Sequence, residues 1–304
     1  MEAQITREIL KKVRQVEVRT RRLVNDSLAG DYHSVFKGSG MNFDEVREYV
    51  AGDEIRAIDW NVTARTGIPH IKKFTEEREL TILLLIDISG SGQFGSTSSS
   101  KREMMAELGA VLAFSAIRNN DKVGLILFTD FIELSIPPQK GRSHILRVIR
   151  EILYFKPQGK KTDLNVPLDF AGRVCKRRSV VFLISDFCLP GDFQAGLDQL
   201  QPKLRTGNRR HDLIGIIVSD PREHALPDVG WLTIEDAENG RQVELNTSDP
   251  AIRARYAETA AQRQKNLLKT TRAAGVDVLN LSTGEPYIPA LTGFFGARRR
   301  RIRR

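Results

Sequence analysis

The stretch TILLLIDISGS, residues Thr81 to Ser91, decides the fold that the sequence predicts. Its first residues are mostly branched and apolar, and a short apolar run of this kind is typical of a strand buried on both faces of a parallel sheet. The run leads directly into Asp87, Ser89 and Ser91. Because ligands in open α/β sheets bind outside the carboxyl ends of the strands, we expect a binding site at this point.

The spacing of these three side chains favours a common target. Alternate residues of an extended backbone point the same way, so Asp87, Ser89 and Ser91 can converge while Ile88 and Gly90 face elsewhere. One carboxylate and two hydroxyls are hard oxygen donors, which suit a cation such as Mg2+. The segment therefore predicts a strand that ends in a metal site.

Strands and helices alternate along the chain that follows. The runs KVGLILFT (Lys122–Thr129), SVVFLISD (Ser179–Asp186) and DLIGIIVS (Asp212–Ser219) have the pattern of buried strands, and helical patterns separate most of the predicted strands. This alternation predicts an α/β fold with a doubly wound, mostly parallel sheet of the Rossmann type. A tight link joins the first of these runs to a strand at Phe131–Ile136, which predicts an antiparallel edge pair because a parallel return needs a crossover of about a dozen residues.

The last part of the sheet domain begins with a predicted hairpin. The segments WLTIEDA and RQVELNT flank Glu238, Asn239 and Gly240, and an Asn-Gly turn between such segments is typical of a β-hairpin. A long helix at Pro250–Ala274, the strand VDVLNLS and a short C-terminal helix follow. These elements extend the predicted alternation almost to the end of the chain.

The front of the chain has a different pattern. Within residues 1–30 apolar residues recur mostly at helical spacing and are backed by Arg and Lys, which predicts an amphipathic helix that packs on the protein's own body. In residues 31–74 glycines divide the chain into short runs, as in a compact irregular region. We therefore predict an N-terminal extension at residues 1–78, the α/β domain at residues 79–297 and a basic tail at residues 298–304.

The composition indicates an ordinary globular protein, with 304 residues, 40% hydrophobic and 28% charged. The start is charged throughout, and no stretch has the roughly 18 uninterrupted apolar residues of a membrane span or the core of a signal peptide. Two cysteines, Cys175 and Cys188, suit a reducing compartment, because small secreted domains usually carry several disulfides. We expect a cytoplasmic protein.

The net charge of +9 is concentrated at the C-terminus, where RRRRIRR places six arginines between Arg298 and Arg304. Three interpretations of this tail stay open: a solvated end, a contact with an anionic membrane surface, or a contact with nucleic acid. No basic segment with interleaved aromatic residues supports single-strand binding, which disfavours nucleic acid as the main partner.

Two further segments offer oxygen ligands at what should be the same end of the sheet. Thr162 lies in the loop KKTDL just before a predicted helix, and Asp186 closes the strand VVFLISD. Together with Asp87, Ser89 and Ser91 they form a candidate site for Mg2+ or Mn2+. The alternative is that the two aspartates cap the helices that follow and that the serines bind loop amides.

This constellation resembles the metal-ion-dependent adhesion site, or MIDAS, of von Willebrand factor A domains, which combines a D-x-S-x-S loop with a threonine and an aspartate from two other loops. More closely, GMNFDEVREYVAGDEIRAIDWNVTAR followed by IDISGS and LISDF resembles the prokaryotic family known as domain of unknown function fifty-eight. That family is typically encoded beside MoxR-type AAA+ ATPases. The resemblance covers roughly Gly38 to Phe295.

The resemblance implies a von Willebrand factor A-like domain and assigns roles to the candidate ligands. Ser89, Ser91 and Thr162 become direct or near-direct hydroxyl ligands, while the two aspartates hold the ion partly through water. Members of the family often have methionine after the second serine, where this chain has Gly92. The change removes no ligand but gives the loop more freedom.

The predicted function is a metal-dependent protein–protein interaction module without enzymatic activity. The resemblance implies a chaperone-like partner or adaptor of a MoxR-type AAA+ ATPase in protein assembly or remodelling, and the metal would bind an acidic residue of that ATPase or its client. One alternative is a Mg2+-dependent hydrolase, although no Walker motif is present and an aspartyl phosphatase would need a second aspartate at Ser89. The other alternative is a membrane-surface or nucleic-acid binder that uses the basic tail.

Overall fold

The computed structural model describes residues 42–75, 79–189, 191–237 and 240–302. The predicted N-terminal helix at residues 1–30 lies outside the described residues. The described chain forms two compact units, which divide between Leu80 and Thr81.

As far as it is described, the smaller unit contains an antiparallel pair, β1 (Asn42–Glu48) with β2 (His70–Thr75), a short 3-10 helix and the α-helix α1 (Trp60–Thr66). Asp59 begins this helix, because its carboxylate accepts hydrogen bonds from the first free amides. Both guanidinium nitrogens of Arg47 donate to the Asp53 carboxylate, at 2.7 and 2.8 Å. This hydrogen-bonded pair lowers the pKa of Asp53 and fixes the turn after β1.

The larger unit is organised around a six-stranded sheet. Its strands are β3 (Thr81–Asp87), β4 (Lys122–Phe128), β5 (Ile132–Gln139), β6 (Val180–Ser185), β7 (Asp212–Ser219) and β10 (Asp277–Ser282), while β8 (Trp231–Glu235) and β9 (Gln242–Asn246) form a separate hairpin. The order across the sheet is β10-β7-β6-β3-β4-β5, which is the doubly wound order 3-2-1-4-5-6 when the six strands are counted along the chain. All neighbours are parallel except β4 and β5, so the predicted mostly parallel sheet and its antiparallel edge pair are confirmed.

Seven helices of the larger unit are described. They are α2 (Lys101–Arg118), α3 (Arg142–Tyr154), α4 (Asn165–Val174), α5 (Phe193–Arg210), α6 (Pro221–His224), α7 (Pro250–Ala273) and α8 (Tyr287–Ile302). No helix of the described chain combines the length and the apolar character that a membrane crossing requires.

Helices α2, α3 and α8 cover one face of the sheet. A Cβ atom at Gly109 of α2 would lie 2.9 Å from Ile86 of β3 and 3.1 Å from Ile152 of α3, so glycine allows this close approach. The ring of Phe295 in α8 packs edge-on against Phe182 of β6, with 6.5 Å between centroids. The apolar residues of β3 that point to this side are thereby removed from water.

Helices α4, α5 and α7 cover the opposite face. Leu83 and Leu85 of β3 belong to a buried cluster with Leu168 of α4, Leu200 of α5 and Leu267 of α7. Because both faces of β3 are covered, its residues from Ile82 to Ile86 are at most 1% exposed. This double burial explains why the strand is a continuous apolar run rather than an alternating one.

The two edges of the sheet, at β5 and at β10, differ in their surroundings. The outer strand β5 contains Pro137 and Pro138, and its pairing with β4 has two irregularities. At the other end α8 continues to Ile302, past the predicted start of the basic tail, and is longer than the short helix that the sequence predicted. Arg298 of this helix is buried and forms ion pairs with Asp212 and Asp277, so the first part of the arginine run belongs to the folded domain.

Candidate functional site

The candidate site lies where the winding of the sheet changes direction. Strand β3 is followed by α2 on one face, and its neighbour β6 is followed by α5 on the other. In doubly wound folds this switch point leaves a crevice at the carboxyl ends of the two strands. Asp87 ends β3 and Asp186 follows β6, so the fold brings these two predicted residues to one crevice.

Asp87 is almost completely buried, with 3% of the residue exposed. Its Oδ1 accepts a hydrogen bond from the Ser89 amide at 2.9 Å, and its Oδ2 accepts one from the Ser185 hydroxyl at 2.6 Å. The alternative role as a helix cap is not observed, because Ser100 caps α2. Asp87 is therefore held in one orientation by its own loop and by the adjacent strand.

The two serines of the D-x-S-x-S segment lie together, as predicted. The hydroxyl oxygens of Ser89 and Ser91 are 3.1 Å apart, with Ser89 fully buried and Ser91 half-buried. A turn of 3-10 helix at residues 90–93 produces this approach. The hydroxyls thus form a compact pair of oxygen donors beside Asp87.

The loop that carries Thr162 adjoins this turn. The Gly90 amide donates to the Lys160 carbonyl at 2.9 Å, and the Asp163 amide donates to the Thr129 carbonyl at 3.2 Å. Thr162 itself is 1% exposed. The predicted threonine is therefore buried on the loop next to the serines, two residues from the Gly90 contact.

The hairpin of β8 and β9 also reaches the site. A Cβ atom at Gly90 would lie 2.8 Å from the carbonyl oxygen of Ala237, at the end of β8, and 3.3 Å from the Lys160 carbonyl oxygen. A side chain at position 90 would therefore collide with the Ala237 backbone and crowd that of Lys160. Glycine at this position lets three loops meet over the end of β3.

Asp186 has a partner, Lys101, that the sequence pattern did not predict. The ammonium Nζ of Lys101, the first residue of α2, lies 2.6 Å from Asp186 Oδ2 and also contacts the carboxylate of Glu223 in α6. The other Asp186 oxygen accepts a hydrogen bond from the Cys188 amide at 3.0 Å. Asp186 is not the cap of α5, which is Asp192.

A signal for Lys101 was present in the sequence. Cations are unfavourable at a helix N-terminus, where the backbone dipole is positive. A lysine directly after the capping Ser100 is therefore in an unfavourable position, which a carboxylate partner would offset. The identity of that partner could not be derived from the sequence, because Asp186 and Glu223 are 85 and 122 residues from Lys101 and belong to other elements.

The electrostatics of the crevice are those of closely spaced buried charges. Burial, reinforced by the neighbouring Asp186 carboxylate, raises the pKa of Asp87 to about 7, although hydrogen bonds from Ser185 and Ser89 oppose the shift. Burial lowers the pKa of Lys101, but Asp186 and Glu223 outweigh it and leave the pKa above its ordinary value. Two carboxylates, those of Asp186 and Glu223, contact the ammonium and leave one net negative charge, to which Asp87 adds a second when it is ionised.

These residues fit a weakly held hard cation. The donors are carboxylate and hydroxyl oxygens, which Mg2+ and Mn2+ prefer, and each carboxylate has lone pairs beyond its described hydrogen bonds. Among residues 42–302, as far as they are described, no cluster of three or more His, Cys, Asp and Glu side chains is arranged to bind a metal. Such an ion would therefore depend on the serine and threonine hydroxyls and on water.

The chain is similar to two uncharacterised relatives and, more distantly, to two solved structures. The uncharacterised proteins Rv1480 of Mycobacterium tuberculosis and Mb1516 of Mycobacterium bovis are each 32% identical to it over 290 residues, which cover 95% of this chain and 89% of theirs. The crystal structure of the conserved hypothetical protein BatB from Bacteroides thetaiotaomicron is 14% identical, with a TM-score of 0.47 over 73% of this chain and 99% of that chain. The SpRpn10 VWA domain is 13% identical, with a TM-score of 0.39 over 70% and 94%.

The sheet order establishes the doubly wound α/β class that the sequence predicted, and the similar structures include a von Willebrand factor A domain. The assignment to a family rests on the amino-acid sequence. A family model described as "Protein of unknown function DUF58" matches residues 45–266, which is most of the chain. The chain belongs to the DUF58 family, as its quoted motifs predicted.

Proposed function

We propose that this protein is a protein-binding module that uses Mg2+ or Mn2+ to hold an acidic residue of a partner. The observation that carries the proposal is the meeting of Asp87 and Asp186 at the switch point of the sheet, beside the paired hydroxyls of Ser89 and Ser91. Two buried carboxylates that repel one another are stabilised by a cation between them. The surrounding donors are the oxygens that such a cation prefers.

The five candidate ligands would bind the ion in two different ways. The hydroxyls of Ser89, Ser91 and Thr162 would bind the ion directly or nearly so, while Asp87 and Asp186 would act partly through water. A divalent ion bound mainly by neutral hydroxyls keeps much of its positive charge and attracts an incoming carboxylate. The partner's acidic residue would supply that carboxylate.

Lys101 gives this site a second, permanent cation. Its ammonium already neutralises part of the charge on Asp186 and Glu223. A divalent ion near Asp186 would therefore meet repulsion from Lys101 as well as attraction from the two aspartates. We accordingly propose that the metal binds with modest affinity and that partner binding strengthens it.

The proposed partner is a MoxR-type AAA+ ATPase or its client, with a chaperone-like role in protein assembly or remodelling in the cytoplasm. The family resemblance supports this choice of partner. We propose no catalytic role for Asp87. Hydrogen bonds from the Ser89 amide and the Ser185 hydroxyl hold its carboxylate in one orientation, as a group that supports a bound ion requires.

The tail-dependent alternative is weakened by the fold. Arg298 contacts Asp212 and Asp277, and Arg301 lies 2.9 Å from Asp277. These guanidinium groups are therefore partly neutralised within the domain. Fewer arginines remain for an anionic membrane surface or for nucleic acid than the sequence suggested.

The test is a binding assay with the MoxR-type ATPase of the same organism, immobilised and presented with the intact protein in Mg2+ or in chelator. We expect binding to require metal and to be lost in Asp87→Ala, with an unchanged circular dichroism spectrum. Asp169→Ala is the matched control, because Asp169 is an exposed acid whose partner is Lys203 in α5. Binding that survives both chelation and Asp87→Ala would exclude the metal bridge.

A further inference from the structure

A cavity of about 770 Å³ opens beside the candidate metal site, on the face of the sheet covered by α5 and α7. Helix α7 forms its wall, and the segment between β6 and α5 forms much of the opposite side. The volume is within the range of specific ligand sites, which are about 300–1,000 Å³. The cavity includes residues that the proposed metal site does not use.

The inner surface of the cavity is apolar. Phe187, Ile217 and Leu267 line it and are each less than 10% exposed, while Phe193 and Ile252 line it as half-buried side chains. Such a lining gains free energy when it covers an apolar group and excludes water. The interior therefore suits a bulky aliphatic or aromatic side chain.

Two exposed arginines of α7, Arg255 and Arg263, also line this cavity. The guanidinium of Arg263 lies 5.8 Å from the centre of the Phe193 ring, a contact that keeps its charge next to the cavity. No carboxylate among the described residues forms an ion pair with either arginine, whereas Arg253 of the same helix is paired with Asp228. These two guanidinium groups are thus available to an anion.

The acids that line the cavity do not neutralise these arginines. They are Asp186 and Glu223, and both contact the ammonium of Lys101. With the single Lys101 ammonium these two acids leave one negative charge at their end of the cavity, whereas the two arginines make the α7 side positive. A ligand with an apolar body and anionic groups matches both the interior and this charge.

The spacing of the arginines selects the kind of anion. Arg255 and Arg263 are eight residues apart, which is about 12 Å along a helix that rises 1.5 Å per residue. An extended peptide advances about 3.4 Å per residue, so it covers the same length in three or four residues. Two acidic residues about three or four positions apart, with an apolar residue between them, would match the pair.

We propose that this cavity receives a bulky apolar side chain from an extended acidic segment of a partner protein, whose two flanking carboxylates bind Arg255 and Arg263. The proposal rests on the protein-binding function proposed above but does not depend on the metal. It adds a second recognition surface, which selects a short sequence motif rather than a single acidic residue. Arg255 and Arg263 determine its specificity for acidic residues, and the apolar lining determines its preference for a large side chain.

The test begins with random dodecapeptides displayed on phage, which are selected on the full chain in the presence of EDTA. The most enriched peptide is then synthesised with a fluorescent label, and its affinity is measured by anisotropy. We expect enriched peptides to combine a bulky apolar residue with acidic residues about three or four positions apart. Affinity should fall about tenfold or more when both Arg255→Glu and Arg263→Glu are introduced.

Two further variants separate the cavity from general charge effects. The double variant Lys269→Glu with Arg272→Glu makes the same charge change on two exposed residues of α7 that do not line the cavity, and it should leave the affinity within about twofold. Ala260→Trp fills the cavity without altering charge and should abolish binding. Circular dichroism and the melting temperature show whether each variant is folded.

Several outcomes would overturn the inference. They are a selection without enrichment, enriched peptides that lack acidic residues, and an affinity that is unchanged in both the double arginine variant and Ala260→Trp. Repeating the measurement with Asp87→Ala separates this surface from the metal site, because peptide binding should be unaffected. Loss of peptide binding in Asp87→Ala, with the circular dichroism spectrum unchanged, would show that the receptor is the metal site and not the cavity.

Discussion

The ammonium of Lys101 lies 2.6 Å from Oδ2 of Asp186, and the two side chains are only 1% and 3% exposed. An ammonium at the first residue of a helix is opposed by the helix dipole, so the two carboxylates that contact it must offset that cost as well as its burial. This relationship ties α2 to the strand end that carries the candidate metal site. Any change in the charge of the site should consequently affect the position of α2.

Lys101→Met should destabilise the metal-free protein strongly. The substitution leaves Asp186 buried without its counter-charge, and breaking a buried ion pair in this way typically costs about 3–5 kcal/mol. The free energy of unfolding can be measured by urea denaturation in EDTA. Added Mg2+ should restore more stability to this variant than to the starting protein, since the divalent ion replaces the missing cation.

The matched control for this prediction is Lys203→Met. Lys203 forms an ion pair with Asp169 at 2.6 Å, but the two side chains are 42% and 51% exposed. Exposed pairs contribute about 0–1 kcal/mol, so this variant should change little. Equal effects of the two substitutions would show that the buried pair has no special role.

Metal binding should be visible as a rise in melting temperature. A ligand that binds only the folded state stabilises it by mass action, so Mg2+ should raise the melting temperature of the starting protein and of Asp169→Ala. The rise should be absent in Asp87→Ala. Calorimetry should give a modest affinity, because the hydroxyl donors are neutral. An identical rise in all three proteins would place the ion elsewhere.

The two aspartates of the site should respond in opposite ways in metal-free protein. Asp87→Asn removes one of two neighbouring carboxylates but retains groups that can bond to the Ser89 amide and the Ser185 hydroxyl, so it should leave stability unchanged or raise it. Asp186→Asn deprives Lys101 of a carboxylate and should lower stability. Urea denaturation of both variants in EDTA measures the contrast. Destabilisation by Asp87→Asn would identify its charge as a structural requirement.

Asp220, which follows β7, should contribute stability that depends on pH. Burial raises its pKa, but hydrogen bonds from Ser96, Thr283 and the Arg222 amide outweigh that effect and lower the pKa to about 2. A carboxyl group with a lowered pKa stabilises the fold above its unfolded pKa of about 4, and this contribution disappears as the pH falls towards 2.

The corresponding variant is Asp220→Asn. It should lower the free energy of unfolding by about 2 kcal/mol at pH 7. The pKa of Asp220 falls from 3.8 to about 2, and one pKa unit corresponds to about 1.4 kcal/mol. The difference in free energy of unfolding between this variant and the starting protein should become smaller between pH 4 and pH 3. Denaturant titrations at pH 7, 4 and 3 provide the measurement, with the exposed Asp169→Asn as the reference. A difference that stays constant across this range would contradict the assignment.

The parts of the fold that could be predicted are those with local signals. The apolar run before Asp87 identified β3, and the direct link after β4 identified the antiparallel edge. The Asn-Gly turn identified the hairpin of β8 and β9, which the structure confirms on both sides of the turn. In each case period, run length or turn chemistry within a few residues determined the element.

The parts that could not be predicted depend on residues distant in the chain. The sequence placed Asp186 at a strand end but could not show that Lys101 would meet it there. Likewise the arginine run was expected to be a separate tail, whereas Arg298 pairs with Asp212 of β7 and Asp277 of β10. Ion pairs between distant residues leave no local sequence pattern. Their partners are known only once the folded sheet brings the residues together.

The two prolines of β5 have a consequence for the behaviour of the protein at high concentration. In a regular strand successive N–H groups point alternately to the two sides, so adjacent Pro137 and Pro138 remove a donor from the free side of the strand as well as from the paired side. A strand from another molecule could therefore form only some of the usual hydrogen bonds with β5, whose own pairing with β4 is irregular. This edge is therefore a poor template for fibril growth.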